Sequence, residues 1–409
     1  MATHNRWFIA AAGMVMQIAL GAVYAWSVFR IPLTKSFGWT ISEVTLTFTI
    51  AIFVLGLAAF AGGLWMRRGG PRTVAVAAGV LYGLGVFLAS FSGGHLWWLY
   101  CSYGVVAGVG LGLGYIVPVA TLVKWFPDRR GLITGLAVAG FGVGALITAP
   151  IATRLIASVG VLQTFAILGA AYFVAVTGGA LFKRNPPDGY RPAGWTPSAT
   201  QTQQRAARAF TLGEAMRSWQ WYGLWTLLFL NTTAGIAVIS QAAPMFQEIT
   251  GISAARAASI VGIISIANGA GRLLWAWLSD LVGRRPVFLA MFLLQAVIFW
   301  LLPSAHSLTL FAALTGGVLL CYGGGFGTMP AFAADYFGAE HVGSIYGLML
   351  TAWGMAGVLG PTLIATLRER SGGYGSAMRL IAGLMLVSAV IPLLVRPPQA
   401  GAINGARVS

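Results

Sequence analysis

Acidic side chains are scarce in this chain: its 409 residues hold nine Asp and Glu against 25 Lys and Arg, and charged residues of all kinds make up 8%. Two cysteines and four histidines complete the stock of ligating and nucleophilic groups. That stock is too small and too scattered for a disulfide framework, a metal centre or a nucleophile with an adjacent base, so an enzyme is excluded and no cofactor is implied. Patterns of the type Gly-x-Gly-x-x-Gly occur in the glycine runs, but no strand precedes them, which removes a nucleotide-binding reading.

What is abundant is apolar. Hydrophobic residues make up 58% and mean hydropathy is +0.81. Runs of about 20 apolar residues recur, as a helix crossing a bilayer requires. Twelve are expected, near 7–29, 44–66, 73–92, 97–124, 131–153, 161–183, 220–246, 257–279, 286–303, 308–335, 343–366 and 375–395. The fold class is therefore all-α integral membrane. Cys101 and Cys321 fall inside these spans and are expected to pack as small apolar groups. Trp65, Trp97, Trp98, Trp125 and Trp219 lie near span ends, where an interfacial belt is expected.

The formal charge of +16 does not point to nucleic acid, because Lys and Arg sit between hydrophobic runs rather than on one solvated face. They act as topology signals. With an internal N-terminus, one side collects seventeen: Arg6, Arg67, Arg68, Arg72, Lys124, Arg129, Arg130, Lys183, Arg184, Arg191, Arg205, Arg208, Arg217, Arg284, Arg285, Arg396 and Arg407. The other side holds seven, among them Arg30, Arg154 and Arg256 near span ends, and Arg272 is left over. This asymmetry places both termini in the cytoplasm and the chain in the plasma (inner) membrane; a monomer is expected to suffice for function, though nothing in the sequence reports the oligomeric state. The first apolar run lacks a small-residue cleavage site and is read as a retained span.

The spans divide into two sets of six: an N-terminal bundle over 1–183, a polar linker over 184–217, a C-terminal bundle over 218–396 and a tail over 397–409. The two halves repeat. Gly112, Pro118, Trp125, Gly131, Gly135 and Pro150 recur as Gly323, Pro330, Tyr336, Gly343, Gly347 and Pro361, at offsets of 211–212 residues. Such a duplication is the signature of a transporter with its site at the midplane between two bundles. Most glycines within spans, such as Gly108, Gly110, Gly112 and Gly114, are read as close helix packing.

One ionisable residue lies deep in an apolar span. Arg272, in Ile266-Ala-Asn-Gly-Ala-Gly-Arg-Leu-Leu-Trp275, costs roughly 2.5 kcal/mol or more to insert, so its position calls for an anionic partner. No carboxylate stands at comparable depth, which leaves a substrate anion. Asn268, four residues earlier, shares its helix face and can either hold the guanidinium or bind a substrate hydroxyl; a bond to a neighbouring helix is the plain structural alternative.

Several stretches carry a family resemblance. Asp280-Leu-Val-Gly-Arg284-Arg285 resembles the short loop signature of the major facilitator superfamily, and Met66-Arg-Arg-Gly-Gly-Pro-Arg72 is a degenerate counterpart with Met in place of Asp. Gly21-Ala-Val-Tyr-Ala-Trp-Ser-Val-Phe29, Lys124-Trp-Phe-Pro-Asp-Arg-Arg-Gly131 and Thr351-Ala-Trp-Gly-Met-Ala-Gly-Val-Leu-Gly-Pro361 are similar to the oxalate:formate antiporter branch, related to monocarboxylate transporters. The resemblance implies twelve helices in two pseudo-symmetric bundles and transport of small carboxylates, with the Arg of span 8 as the anion's partner. It also implies, for oxalate carriers, a Lys in span 11. Here that region reads Leu350-Thr-Ala-Trp-Gly-Met355, without a Lys. A dianion on one guanidinium would leave a buried carboxylate uncompensated, so monocarboxylates such as L-lactate or pyruvate are expected.

Following the superfamily plan, Tyr24, Tyr115, Tyr322, Phe326 and Trp353 are expected as walls of the site, and packing between helices is the alternative for each. Asp280, Arg284 and Arg285 are expected to hold one access state through helix ends, and Asp128, Asp335 and Glu340 to pair across the halves with Lys124, Arg129 and Arg130. His4, His95, His306 and His341 fall in the tail or loops, so no central group titrates obviously. Two couplings stay open: symport of a proton with the anion, and exchange of one carboxylate for another. A channel using the same Arg is a third class, disfavoured by the two-fold repeat.

Overall fold

The computed structural model describes residues 5–398 apart from 188, 193 and 197–208. Arg205, Arg208 and Arg407, part of the polar linker and most of the tail lie outside the described residues. Every regular element described is helical.

Helix α1 (Arg6–Gly21) passes through a 3-10 turn, Ala22–Trp26, into α2 (Ser27–Phe37). Helix α3 (Ile41–Leu88) follows, then α4 (Leu96–Leu99), a π-helical segment Tyr100–Ala107 and α5 (Gly108–Trp125). Helices α6 (Arg130–Val159) and α7 (Val161–Ala180) complete the first half, and a short α8 (Leu212–Met216) leads to the second. That half comprises α9 (Trp219–Thr250), α10 (Ala254–Val282), α11 (Arg284–Leu301), α12 (Leu308–Phe337), α13 (Val342–Met349), α14 (Thr351–Ser371) and α15 (Gly375–Ser388).

Ten helical stretches are long and apolar enough to cross a membrane. One of these, Glu43–Phe91, is two spans joined at Gly70, and α10, with 29 residues, brings the total to the expected twelve. Gly70 has φ 74° and ψ 165°, and Gly283 between α10 and α11 has φ 98° and ψ 159°. Only glycine accepts such angles readily, and their recurrence at matching loops is the duplication expressed in the backbone. Polar caps fix several helix starts: Thr40 and Glu43 form a capping box on α3, and the Ser253 and Ser307 side chains accept from the first turns of α10 and α12. Span 11 is not one regular helix. It breaks at Leu350, between α13 and α14.

Within the halves, α3 packs on α5 and α7, α10 on α12, and α9 on α14. The halves meet along two seams, α6 against α10 and α12, and α3 against α13 and α14. The repeated Gly-x-x-x-Gly sites lie on these seams. A Cβ on Gly135 would stand 2.5 Å from the Arg272 carbonyl oxygen, and one on Gly347 2.6 Å from that of Ala59. Small residues here let backbones touch, where van der Waals contact replaces a hydrophobic drive. Inside the halves, Gly112 meets the Leu55 carbonyl and Gly323 that of Asn268 in the same manner.

Three details depart from expectation. Cys321 is buried as expected, but Cys101 is exposed on the outside of the bundle. Trp125 is not an interfacial anchor: it is buried, with Nε1 donating to the Arg184 carbonyl at 2.8 Å. Lys183 is buried as well, its Nζ donating to the Ile9 carbonyl at 2.8 Å over Gly13.

Gly135→Val is expected to wedge α6 from α10 without unfolding either half. Spin labels on the two helices should report longer separations; an unchanged distribution would show that the seam does not need the glycine.

Candidate functional site

Arg272 projects from the middle of α10 into the seam and is fully buried. Its Nε donates to Asn268 Oδ1 at 3.3 Å, so the i,i+4 pair is formed and Asn268 holds the guanidinium. Its Nη1 donates to the Val138 carbonyl at 3.1 Å, and Val138 belongs to α6 in the other half. The guanidinium carbon lies 5.2 Å from the Phe326 ring and 5.8 Å from that of Phe141, so an aromatic from each half faces the charge. Among the described residues no carboxylate pairs with it.

The expected wall residues come together around this charge. Phe326 and Trp353 are 4.8 Å apart between ring centroids, Tyr322 and Phe326 5.2 Å, Tyr115 and Trp353 6.0 Å, and Tyr24 and Trp353 6.2 Å. Tyr115, Phe326 and Trp353 are fully buried. The guanidinium acts electrostatically on the hydroxyls of Tyr24, Tyr115, Tyr322 and Tyr346. Sequence reasoning missed Phe141, which contacts Tyr24 at 5.1 Å and Tyr115 at 5.3 Å, and Tyr346. Phe141 could have been found as the one large side chain between Gly140 and Gly142 on a seam helix.

The hydrogen-bond inventory of this cluster is one-sided. Arg272 Nη2, the hydroxyls of Tyr24, Tyr115 and Tyr346, and Trp353 Nε1 are buried and close no well-aligned hydrogen bond; their nearest polar neighbours are one another, Tyr24 beside Arg272 and Tyr322, Tyr115 beside Tyr346, and Trp353 beside Tyr322. A buried polar group left fully unpaired costs about 1–3 kcal/mol, and these groups satisfy one another only in part. One of the five carries charge and all can donate, a set that an acceptor-rich anion would complement.

A second cluster occupies the end of the molecule where the Gly283 loop lies. Arg130 Nη1 of the first half contacts Asp335 Oδ1 of the second at 2.8 Å, and Arg284 Nε contacts Asp335 Oδ2 at 2.9 Å. Arg284 also pairs with Asp280 at 2.7 Å. The Asp280 carboxylate accepts from the backbone N–H groups of Gly131 and Leu132 at 2.9 and 2.8 Å, capping α6 across the seam. Arg285 donates to the carbonyls of Pro392 and Leu393. Asp128 departs from the expectation of a cross-half pair: it binds Arg6 of its own half at 2.6 and 3.0 Å, because α1 begins beside the 126–129 turn. Lys124 closes no ion pair among the described residues, although Glu340 lies within its electrostatic reach.

The chain is thus a helical membrane protein of two similar halves that enclose a buried cation ringed by aromatic side chains. The profile of the Major Facilitator Superfamily matches residues 8–272 and 224–408, and the chain belongs to that family. It is 30% identical over 359 residues to an uncharacterized MFS-type transporter, YhjX, of Escherichia coli (strain K12), covering 87% of this chain and 86% of the relative. It is 27% identical over 402 residues to the oxalate:formate antiporter of Oxalobacter formigenes, covering 96% and 93%. The solved structure of the proton:xylose symporter XylE superposes with a TM-score of 0.73 at 13% identity, over 98% of both chains, which shows the shared fold.

His341, at the start of α13, adds to the electrostatics of this end of the molecule. Burial holds its pKa below the usual 6.5 against the opposing effect of Glu340; Arg67 and Lys124 of the first half lower it further, and Glu214 raises it. The sign follows. An opened end returns His341 toward 6.5 and binds the proton more readily, so acid favours opening as pH falls through 6.5. Spin-label distances across α3 and α13 should lengthen between pH 7.5 and 5.5, and His341→Gln should abolish the change; equal pH dependence in the variant would sink this assignment.

Proposed function

We propose that the protein is a secondary transporter that moves small monocarboxylates such as L-lactate and pyruvate by alternating access, with Arg272 as the carboxylate's partner. The observation that carries the reading is the fully buried Arg272 guanidinium, with which no carboxylate among the described residues pairs and whose Nη2 closes no well-aligned hydrogen bond. A carboxylate has about four lone-pair positions, which suits one guanidinium edge and one or two hydroxyls. Asn268 and the Val138 carbonyl hold the guanidinium, Tyr24 and Tyr115 donate, and Phe141 and Phe326 meet the alkyl part.

One buried charge suits one carboxylate. Span 11 brings the buried Trp353 to the site and holds no Lys or Arg between Gly343 and Thr366, so a dianion would carry an unneutralised charge into a dry cavity. We place both termini in the cytoplasm, from the count of seventeen basic residues against seven. The Asp335 and Asp280 cluster then closes the inner side and the protein acts as a monomer in the plasma membrane.

Proton-linked symport is the coupling we favour: the proton travels with the anion and the cycle is electroneutral. A second reading is carboxylate exchange, favoured by the 27% identity to a protein named an oxalate:formate antiporter. Uptake of labelled L-lactate into proteoliposomes, with and without an inward proton gradient, separates them. Gradient-stimulated uptake that Arg272→Ala abolishes supports symport; rapid oxalate–formate exchange without lactate uptake would overturn the single-charge reading.

Arg272→Lys keeps the charge but loses the planar fork, and is expected to weaken carboxylate binding tenfold or more. Undiminished affinity would mean that a point charge suffices. Asp335→Asn removes the ion pair between halves and is expected to change the exchange rate with less than about twofold effect on substrate affinity. Weakened binding at an unchanged rate would instead move Asp335 out of the gate.

A further inference from the structure

A cavity of about 360 Å³ opens on the first half where the start of α1 meets the chain leaving α7, and Asn5, Phe8, Ile9, Phe182 and Arg184 line it. It lies at the end of the molecule that carries the Asp335 cluster, because α1 begins beside the 126–129 turn. One membrane-crossing stretch starts here at Arg6 and another ends at Ala180. The cavity therefore sits at the level of the lipid headgroups.

Its walls divide by chemistry. Phe8 and Phe182 meet edge to face with centroids 4.8 Å apart, and both are exposed, as are Trp7 and Leu181 beside them. Exposed aromatic rings at this depth lie against the first methylenes of acyl chains. Arg184 forms the polar wall. Asn5 Oδ1 already accepts from the Trp7 N–H at 3.0 Å, so what Asn5 offers a ligand is its Nδ2 donor.

The charge around the cavity has one sign. Among the described residues no carboxylate lines it. Asp128, on the adjoining turn, is taken by Arg6 with bonds of 2.6 and 3.0 Å, and Arg6 is held over the Phe126 ring at 4.4 Å. Behind the Ile9 wall the buried Lys183 donates to the Ile9 carbonyl, and among the described residues no carboxylate pairs with it. A guanidinium on one wall and a buried lysine behind another face a cavity whose remaining side is apolar. An amphiphile of negative charge matches both sides: phosphate oxygens accept from the guanidinium in charge-assisted bonds, and methylenes cover the rings. A free phosphate would leave the rings uncovered, and an uncharged lipid would leave the positive field unanswered.

We infer that this cavity binds an anionic phospholipid, its phosphate on Arg184 and Asn5 and its chains on Phe8 and Phe182, so that one lipid ties the first turn of α1 to the segment after α7.

The test is native mass spectrometry of the purified full-length protein titrated with phosphatidylglycerol, with phosphatidylcholine of the same chains, or with inorganic phosphate, for wild type, Arg184→Gln, Phe182→Ala and Arg68→Gln. Arg184→Gln leaves in place the backbone carbonyl to which Trp125 donates, and Arg68 is an exposed cation at the same end that does not line the cavity. Wild type is expected to bind its first phosphatidylglycerol about fivefold more tightly than phosphatidylcholine, the weight of one basic residue at an anionic surface. Arg184→Gln should remove this preference, Phe182→Ala should weaken both lipids, and Arg68→Gln should keep the wild-type preference. Equal binding of the two lipids to wild type overturns the inference. So does a preference that Arg68→Gln abolishes as fully as Arg184→Gln, which would mean diffuse attraction without a site. Inorganic phosphate bound as tightly as phosphatidylglycerol overturns it by taking the lipid out of the cavity. If Arg184→Gln yields no folded protein, Phe182→Ala decides: unchanged lipid affinity there overturns the inference.

Discussion

A guanidinium held in a low-dielectric seam between two bundles is the constraint on which the rest of the structure depends. Its burial is only partly compensated: Asn268 and the Val138 carbonyl take two of its donors, and two aromatic faces lie over its carbon. Neutral acceptors and ring quadrupoles solvate the charge without cancelling it. Keeping it buried requires close walls, and close walls require glycine. Gly271 and Gly327 stand with their Cβ positions 2.0 and 2.1 Å from backbone oxygens of Leu320 and Arg272, so α10 and α12 touch at the arginine itself. The same seams that fix the charge are the surfaces on which two rigid halves can rock.

The duplication is not carried equally to both seams. On one side Asp280 caps α6 and links through Arg284 to Asp335, a chain of charge-assisted bonds. On the other, the Gly70 turn presents Met66, whose Cε lies 2.8 Å from the position of a Cβ on Gly343, and Arg67 beside His341. A helix start there faces positive charge where its twin faces a carboxylate. In the proposed cycle this gives the inner closure one strong latch and one weak, pH-sensitive one.

Much of this was legible in the sequence because its main signals are local. Span count follows from hydrophobic length, the two halves from the 211–212-residue offset, and Arg272 from its isolation in an apolar run. The clustering of Tyr24, Tyr115, Tyr322, Phe326 and Trp353 was expected from the superfamily resemblance. What was not legible is whatever depends on backbone or on rotation about a helix axis. The Val138 carbonyl bears no mark in the sequence, and Phe141 reads as one more apolar residue until α6 is turned toward α10. The partner of Asp128 was misassigned because ion-pair choice at helix ends depends on which N-terminal turn lies nearest, here that of Arg6. Irregular helices were hidden too: the 3-10 turn at Ala22–Trp26 places Tyr24, and no proline or polar residue announces it.

The bond from Arg272 to Val138 ties the charge to conformation. It crosses between halves, so the guanidinium is at once the anion's partner and a strut between α10 and α6. An arriving carboxylate competes with the carbonyl as an acceptor and, being ionised, makes the stronger bond. In the proposed cycle, loading therefore weakens the strut as it neutralises the charge. Both effects act in one direction: an empty site is held by the strut and costly to desolvate further, while a loaded site is neutral and free to rock. A ligand moves a two-state protein only by its differential affinity for the states. In the proposed cycle that difference lies in how firmly the guanidinium keeps its Nη1 bond to Val138 once Nη2 carries the anion, a coupling that calls for no second positive charge in span 11.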